Sequence, residues 1–456
     1  MLDLRSPYLA QHPLGEAVAR ILEAALQAVE PAMAVRRALA YDAHQRVLQV
    51  AGTRLSVASQ GRIWVVAVGK AAYPMAYAAR EVLGDHLHGG VVLTKAGHAG
   101  PSLPPLEVRE AGHPVPDARG VQAAQAIEAL LAQARADDLV LLLLSGGGSA
   151  LLVSPAPPLS LEDLRRTTDL LLASGATITE VNAVRKHLER LKGGQLARLA
   201  APARVVALVL SDVLGDPLDA IASGPAAPDP TTFAEAWAVL VRYGLAERVP
   251  RAVRERLQAG LRGEIPETPK PGDLLFARVR HHIVGSVRVA AEAALTEAQC
   301  LGFHAAIATT TLEGEAREVG RALAAVLREM AVYGRPLQRP ACLIWGGETT
   351  VTLGAGPHGR GGRNQELALA AVYPLAGMPG ALLVAFATDG TDGPTDAAGA
   401  VVDGETLTRA WALGRDPRKA LARHDAYDFF APLGALLRPG PTRTNVNDLT
   451  LLLTIS

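Results

Sequence analysis

The run Leu139–Leu144, Leu-Val-Leu-Leu-Leu-Leu, passes without a break into Ser145-Gly146-Gly147-Gly148-Ser149. An unbroken apolar run of strand length suits a strand buried on both faces, and such strands belong to parallel sheets covered by helices. The pattern recurs. Apolar strands are expected at 63–68, 91–94, 106–110 and 205–210, separated by helical periods at 71–83, 117–135, 160–173 and 177–199. Helices at 233–243 and 250–261 close this half. The stretch 263–272 carries Pro266, Pro269 and Pro271 without periodicity and reads as a linker. Strands are then expected at 281–284, 305–309, 342–344, 349–353, 382–387 and 449–454, with helices at 287–300, 314–333 and 364–373 and more helices up to Leu437. The first 45 residues read as helical, with Leu14, Val18, Ile21, Leu22, Ala25 and Val29 on one face. These patterns predict two α/β domains, 1–270 and 271–456, on parallel or mostly parallel sheets.

Composition narrows the function. With 456 residues, 49% of them apolar, the chain can bury large cores, which excludes a disordered or fibrous class. Lys+Arg and Asp+Glu are both 45, so there is no basic surplus to hold nucleic acid or an anionic membrane. No apolar run approaches the roughly 18 residues of a membrane helix. Glu16 and Glu23 interrupt the N-terminal apolar pattern, so no signal peptide is expected. Cys300 and Cys342 are too few for a disulfide framework or a cysteine zinc site. The expectation is a soluble cytoplasmic protein with a small-molecule partner, and a homodimer is compatible with it. Only six Lys occur (Lys70, Lys95, Lys186, Lys192, Lys270 and Lys419), and four Asn (Asn182, Asn364, Asn445 and Asn447). Rarity makes each harder to read as an interchangeable surface residue.

Ligands in α/β sheets bind at the C-terminal ends of strands. Here the strand ends lead into Gly69-Lys70, Ser145–Ser149, Ser211-Asp212, Gly346-Gly347-Glu348 and Asp389-Gly390-Thr391-Asp392-Gly393. Ser145, Gly146, Gly147, Gly148 and Ser149 form a plausible phosphate cradle, with backbone N–H groups able to approach an anion. The loop is not a Walker A motif, and Leu151 stands where the third Gly of a dinucleotide fingerprint belongs. Lys70, beside a helix N-terminus, suits charge neutralisation better than dipole complementarity. Arg363 in Gly359-Arg-Gly-Gly-Arg-Asn364 can grip carboxylate or phosphate, and Asn364 can bind substrate or cap a helix. Asp389 and Asp392 suit Mg²⁺ or an Asx-turn series, with Asp212, Asp216 and Glu348 as alternative ligands or bases. His113 reads as a turn residue or a ligand contact. Asn182, Lys186 and Glu189, at i, i+4 and i+7, read as a solvated salt-bridged helix face.

Taken together, VAVGKAAYPMA at Val66, EAGHPVPD at Glu110, LLSGGGSALL at Leu143, NAVRKHLERLKGGQLA at Asn182, LSDVLGDPLDAIASGP at Leu210, GGETTVTL at Gly346, GRGGRNQELAL at Gly359, ATDGTDGPTDAAGA at Ala387 and TNVND at Thr444 resemble the glycerate 2-kinase family with its MOFRL C-terminal region. The resemblance implies ATP-dependent phosphorylation of the 2-hydroxyl of D-glycerate. It also implies a first domain of Rossmann-like build and an active site in an interdomain cleft. The family's essential Lys and Arg match Lys70 and Arg363. On this reading Lys70 and Arg363 are catalytic and also bind substrate, as do His113 and Asn364. Ser145–Ser149 and Asp212 bind nucleotide, and Asp389, Asp392 and Glu348 hold Mg²⁺. Some relatives carry the label hydroxypyruvate reductase, which the missing dinucleotide fingerprint disfavours here.

Overall fold

The computed structural model describes residues 4, 6–354 and 356–455. It divides into two compact units, Pro31–Val284 and Met1–Glu30 with Gly285–Ser456.

In the Pro31–Val284 unit, β1 (Leu39–Asp42), β2 (Val47–Val50) and β3 (Thr53–Ser56) form a small antiparallel sheet in the order β1-β2-β3. The main sheet holds β4 (Ile63–Val68), β5 (Leu87–Lys95), β6 (Leu106–Ala111), β7 (Leu139–Leu144), β8 (Arg204–Leu210) and β9 (Val279–Gly285), in the order β6-β5-β4-β7-β8-β9. From β6 to β8 every pairing is parallel. All residues of β4 and β7 are buried, as their unbroken apolar character requires. Burial of side chains such as Val66 and Leu142 contributes roughly 1.5–3 kcal/mol each. Helix starts follow local chemistry: Asp117 accepts from the Gly120 N–H, and Ser160, Thr177 and Thr232 each form a capping box.

The second unit carries β10 (His304–Leu312), β11 (Ala341–Gly347), β12 (Ala381–Ala387), β13 (Gly399–Asp403), β14 (Leu436–Leu437) and β15 (Asp448–Thr454), in the order β10-β11-β15-β12-β13-β14. Only β10 and β11 pair in parallel; β15 lies antiparallel between β11 and β12. This sheet is mixed, and the expectation of a mostly parallel sheet holds for the first unit alone.

Four expectations are corrected. The division falls at 284/285 instead of 270/271, because β9 completes the first sheet. The first 30 residues join the second unit: helix Gly15–Ala28 buries Val18, Ile21, Leu22 and Ala25 against helix Val287–Cys300, which offers Ala290, Ala291 and Ala294. Residues 349–353 are not a strand; Thr350 makes a single bridge with Glu315. Short strands β1–β3 and β13 replace stretches read as helix or left unassigned.

Candidate active site

Because β4 and β7 are parallel neighbours, with Val68 opposite Leu144, the loops that follow them lie side by side. The Lys70 N–H donates to the Gly146 carbonyl at 2.9 Å, and the Ala71 N–H donates to Ser145 Oγ at 3.0 Å. Gly69, at φ +131°, is required here: a Cβ would fall 2.2 Å from Ser145 Oγ. The Lys70 carbonyl in turn accepts from Thr94 Oγ1 and His98 Nδ1.

Three side chains converge on the bare backbone of this loop. A methyl group on Gly147 would lie 3.0 Å from the His113 ring and 3.2 Å from Lys70 Cγ. A methyl group on Gly146 would lie 2.0 Å from Asp212 Oδ2. Lys70, His113, Asp212 and the Ser145–Ser149 loop, each singled out in the sequence, therefore meet in one place. Burial, reinforced by Lys70, Lys95 and His98, holds the His113 imidazole down at about 4, so it is neutral at physiological pH.

The helix expected to be solvated is instead buried. Lys186 and Lys192 are 2% and 1% exposed, and Asn182 and Glu189 are also buried. The expected helix 177–199 ends at Leu188: Glu189 is its C-cap in an extended conformation and a second helix begins only at Gln195, while the segment 211–231 and the Gly-rich loop lie where solvent was expected. Lys192 Nζ donates to the Ser149 carbonyl at 2.8 Å and to Glu189 Oε1 at 2.5 Å. Ser149 Oγ and Ser223 Oγ are 2.8 Å apart, and Ser223 Oγ donates to Asn182 Oδ1 at 3.1 Å. Ala222 and Ser223 sit at φ +50° and +59°, a strained pair of residues held by buried surroundings. Lys186 Nζ reaches Asp219 at 3.1 Å and Asp229 at 3.3 Å.

In the second unit, Gly362 is the N-cap of helix Arg363–Leu375, so Asn364 lies inside the first turn and is not the cap. Arg363 Nε and Nη2 both donate to Asp448, at 2.5 and 3.0 Å, and Nη1 meets Glu348 at 2.7 Å. Despite its burial, the guanidinium is pushed above its ordinary range by Asp448, Glu348 and Asp392. Asp448 is signalled in the sequence by the TNVND string alone, and its neighbour Asn447 also by the rarity of Asn.

The Mg²⁺ set Asp389, Asp392 and Glu348 does not fit a protein-held metal. Asp392 is 2% exposed, and its carboxylate accepts from the Asn364 and Gln365 N–H groups at 3.1 and 2.9 Å. Its charge thus complements the helix N-terminus. Glu348 is occupied by Arg363 and by Asn447 Nδ2 at 2.6 Å. Asp389 closes an Asx turn with the Thr391 N–H at 2.9 Å. Among the described residues no group of three or more His, Cys, Asp or Glu could hold a metal ion. Cys342 is buried in β11, and burial pushes its thiol up to about 12.

The chain matches a domain of unknown function (DUF4147) over residues 17–258 and the MOFRL family over residues 341–448. It is 45% identical to a protein of Pyrococcus horikoshii named glycerate 2-kinase, over 96% of each chain. It is 47% identical to one of Thermotoga maritima named D-glycerate 2-kinase, over 86% of this chain and 90% of that one. A solved structure of a glycerate kinase from Thermotoga maritima is similar with a TM-score of 0.86 and 44% identity, covering 96% of this chain and 99% of that chain.

Proposed function

The chain belongs to the glycerate 2-kinase family, and from that premise we propose that it transfers the terminal phosphoryl group of ATP to the 2-hydroxyl of D-glycerate. The observation that carries the reading is the convergence of Lys70, His113 and Asp212 on Gly146 and Gly147. A glycine backbone with a cation at hand suits the approach of phosphate groups. The reaction needs positioning and charge neutralisation more than covalent help from the protein.

In this reading the Ser145–Ser149 loop and Asp212 line the nucleotide site. Lys70 neutralises charge on the group in transfer. Neutral His113 adds no second charge beside Lys70 and is free to hydrogen-bond substrate. Arg363 orients the anionic substrate or the transferring group, and Asn364 serves through its place beside Arg363 on the helix's first turn. Mg²⁺ would enter with the nucleotide as part of the substrate, since the carboxylates expected to hold it are otherwise engaged. The cytoplasm is the compartment proposed; no helix among the described residues is long and apolar enough to cross a membrane.

Steady-state kinetics of Lys70→Ala and Arg363→Ala test these roles. Each should lower kcat/KM roughly 10²-fold or more, as loss of an electrostatic stabiliser does. Wild-type kinetics in either variant would remove that residue from the mechanism.

A further inference from the structure

We propose that Asp448, directly, and Asn447, through Glu348, position Arg363 so that the end of its guanidinium fork is presented to the anion. The inference rests on the kinase reading and assigns residues that reading leaves without a role.

Asp448 takes Nε and Nη2 in the two-pronged geometry that fixes a guanidinium in plane. Asn447 acts one step removed: its Nδ2 donates to Glu348 Oε2, and Glu348 Oε1 takes Nη1. These contacts use three of the five N–H groups of an Arg side chain. The remaining two, one on each terminal nitrogen, suit two oxygens of a carboxylate or a phosphoryl group.

The support is rigid. Asp448 opens β15, the strand between β11 and β12, and lies opposite Gly347 on one side and Ala387 on the other. Asn447 sits at φ +65°, a conformation that costs a non-glycine residue strain. Its carbonyl is held by the Thr388 N–H at 3.1 Å and by Thr388 Oγ1 at 2.6 Å. Strain fixed in this way, next to the half-buried Arg363 and its buried partner Asp448, marks a site whose geometry matters. Burial pushes the Asp448 carboxyl up, and the Arg363 guanidinium pulls it back down.

The test is a double-mutant cycle on the full chain, with kcat and KM measured for Asp448→Asn, Arg363→Ala and the double variant, each checked for folding by circular dichroism. Asp448→Asn should lower kcat about 10- to 100-fold, the range for outer partners that orient a working group, with KM for ATP little changed. In the Arg363→Ala background the same change should cost less than about 2-fold, because its effect passes through the missing guanidinium. Equal losses in both backgrounds, or wild-type kinetics for Asp448→Asn, would overturn the inference. Should Asp448→Asn not fold, Glu348→Gln carries the same comparison, with a smaller loss that must also vanish without Arg363. A wild-type chain without turnover overturns the kinase reading and this inference together; additive losses in an active enzyme overturn this inference alone.

Discussion

Lys192 donates to the carbonyl of Ser149 while paired with Glu189, so a buried ion pair supports the Gly-rich loop from beneath. Burial lowers the affinity of Lys192 for its proton, and the Glu189 carboxylate opposes that effect. The loop that presents Gly146 and Gly147 is therefore not a free surface turn.

Replacing one partner of such a pair leaves the other charge buried and alone, at roughly 3–5 kcal/mol. Lys192→Met should lower the midpoint of thermal unfolding markedly, and Lys192→Met with Glu189→Gln should recover part of the loss. Calorimetry checks this. A single variant as stable as the wild type would mean that Glu189 finds another partner.

Gly146 has no unusual backbone angle, yet a Cβ there would fall 2.0 Å from Asp212 Oδ2. Gly146→Ala should displace the Asp212 carboxylate and lower kcat/KM roughly 10²-fold, in the range for misplacing a group at the reacting centre. The midpoint of unfolding should move far less than for Lys192→Met. Gly356→Ala, where nothing lies within 4 Å of the added methyl group, is the control and should match the wild type in both readouts.

Asp138 is 1% exposed and meets Arg62 at 2.7 Å. Burial alone would raise its carboxyl, but hydrogen bonds from the Arg62 side chain and from the Arg62 and Arg135 backbones bring it down to about 2. The folded value lies below the unfolded one, so the stabilisation is fully present above pH ~4 and is lost as pH falls toward ~2. A difference of that size is worth about 2 kcal/mol. Asp138→Asn should flatten stability over that window in denaturant titrations. An unchanged slope would show that Asp138 titrates alike in both states.

The strands with unbroken apolar runs were legible because burial on both faces leaves no room for polar residues: β4, β7, β8 and β12 stand where their runs place them. The sheet β1–β3 was not, because Leu39–Asp42 and Thr53–Ser56 are short, half-polar and next to a helical period. Sheet order was illegible for β15, since a period of two says nothing about which strands flank Leu449–Thr454 or in which direction.

The candidate site divides along similar lines. The Ser145–Ser149 loop stands out through its glycines, Lys70 through rarity and Asp212 through its place at a strand end, while His113 reads equally as a turn residue; the structure brings these four together. Asn182, Lys186 and Glu189 misled, because helical spacing is the same whether a face meets water or buried polar partners, and it does not mark the end of the helix at Leu188. Asp392 misled for a different reason: a carboxylate capping a distant helix and one awaiting a metal look alike in a string such as Asp389-Gly390-Thr391-Asp392.

The central claim is the transfer of phosphate to the 2-hydroxyl of D-glycerate. The most direct measurement incubates the purified chain with D-glycerate, ATP and Mg²⁺ and couples the product to enolase, which consumes 2-phosphoglycerate and not the 3-isomer. The expected result is ADP formation matched by enolase signal without a mutase. ADP with the 3-isomer would keep the reaction class and overturn the placement of the substrate. No turnover with D-glycerate, in a protein that is folded and binds ATP, would contradict the account.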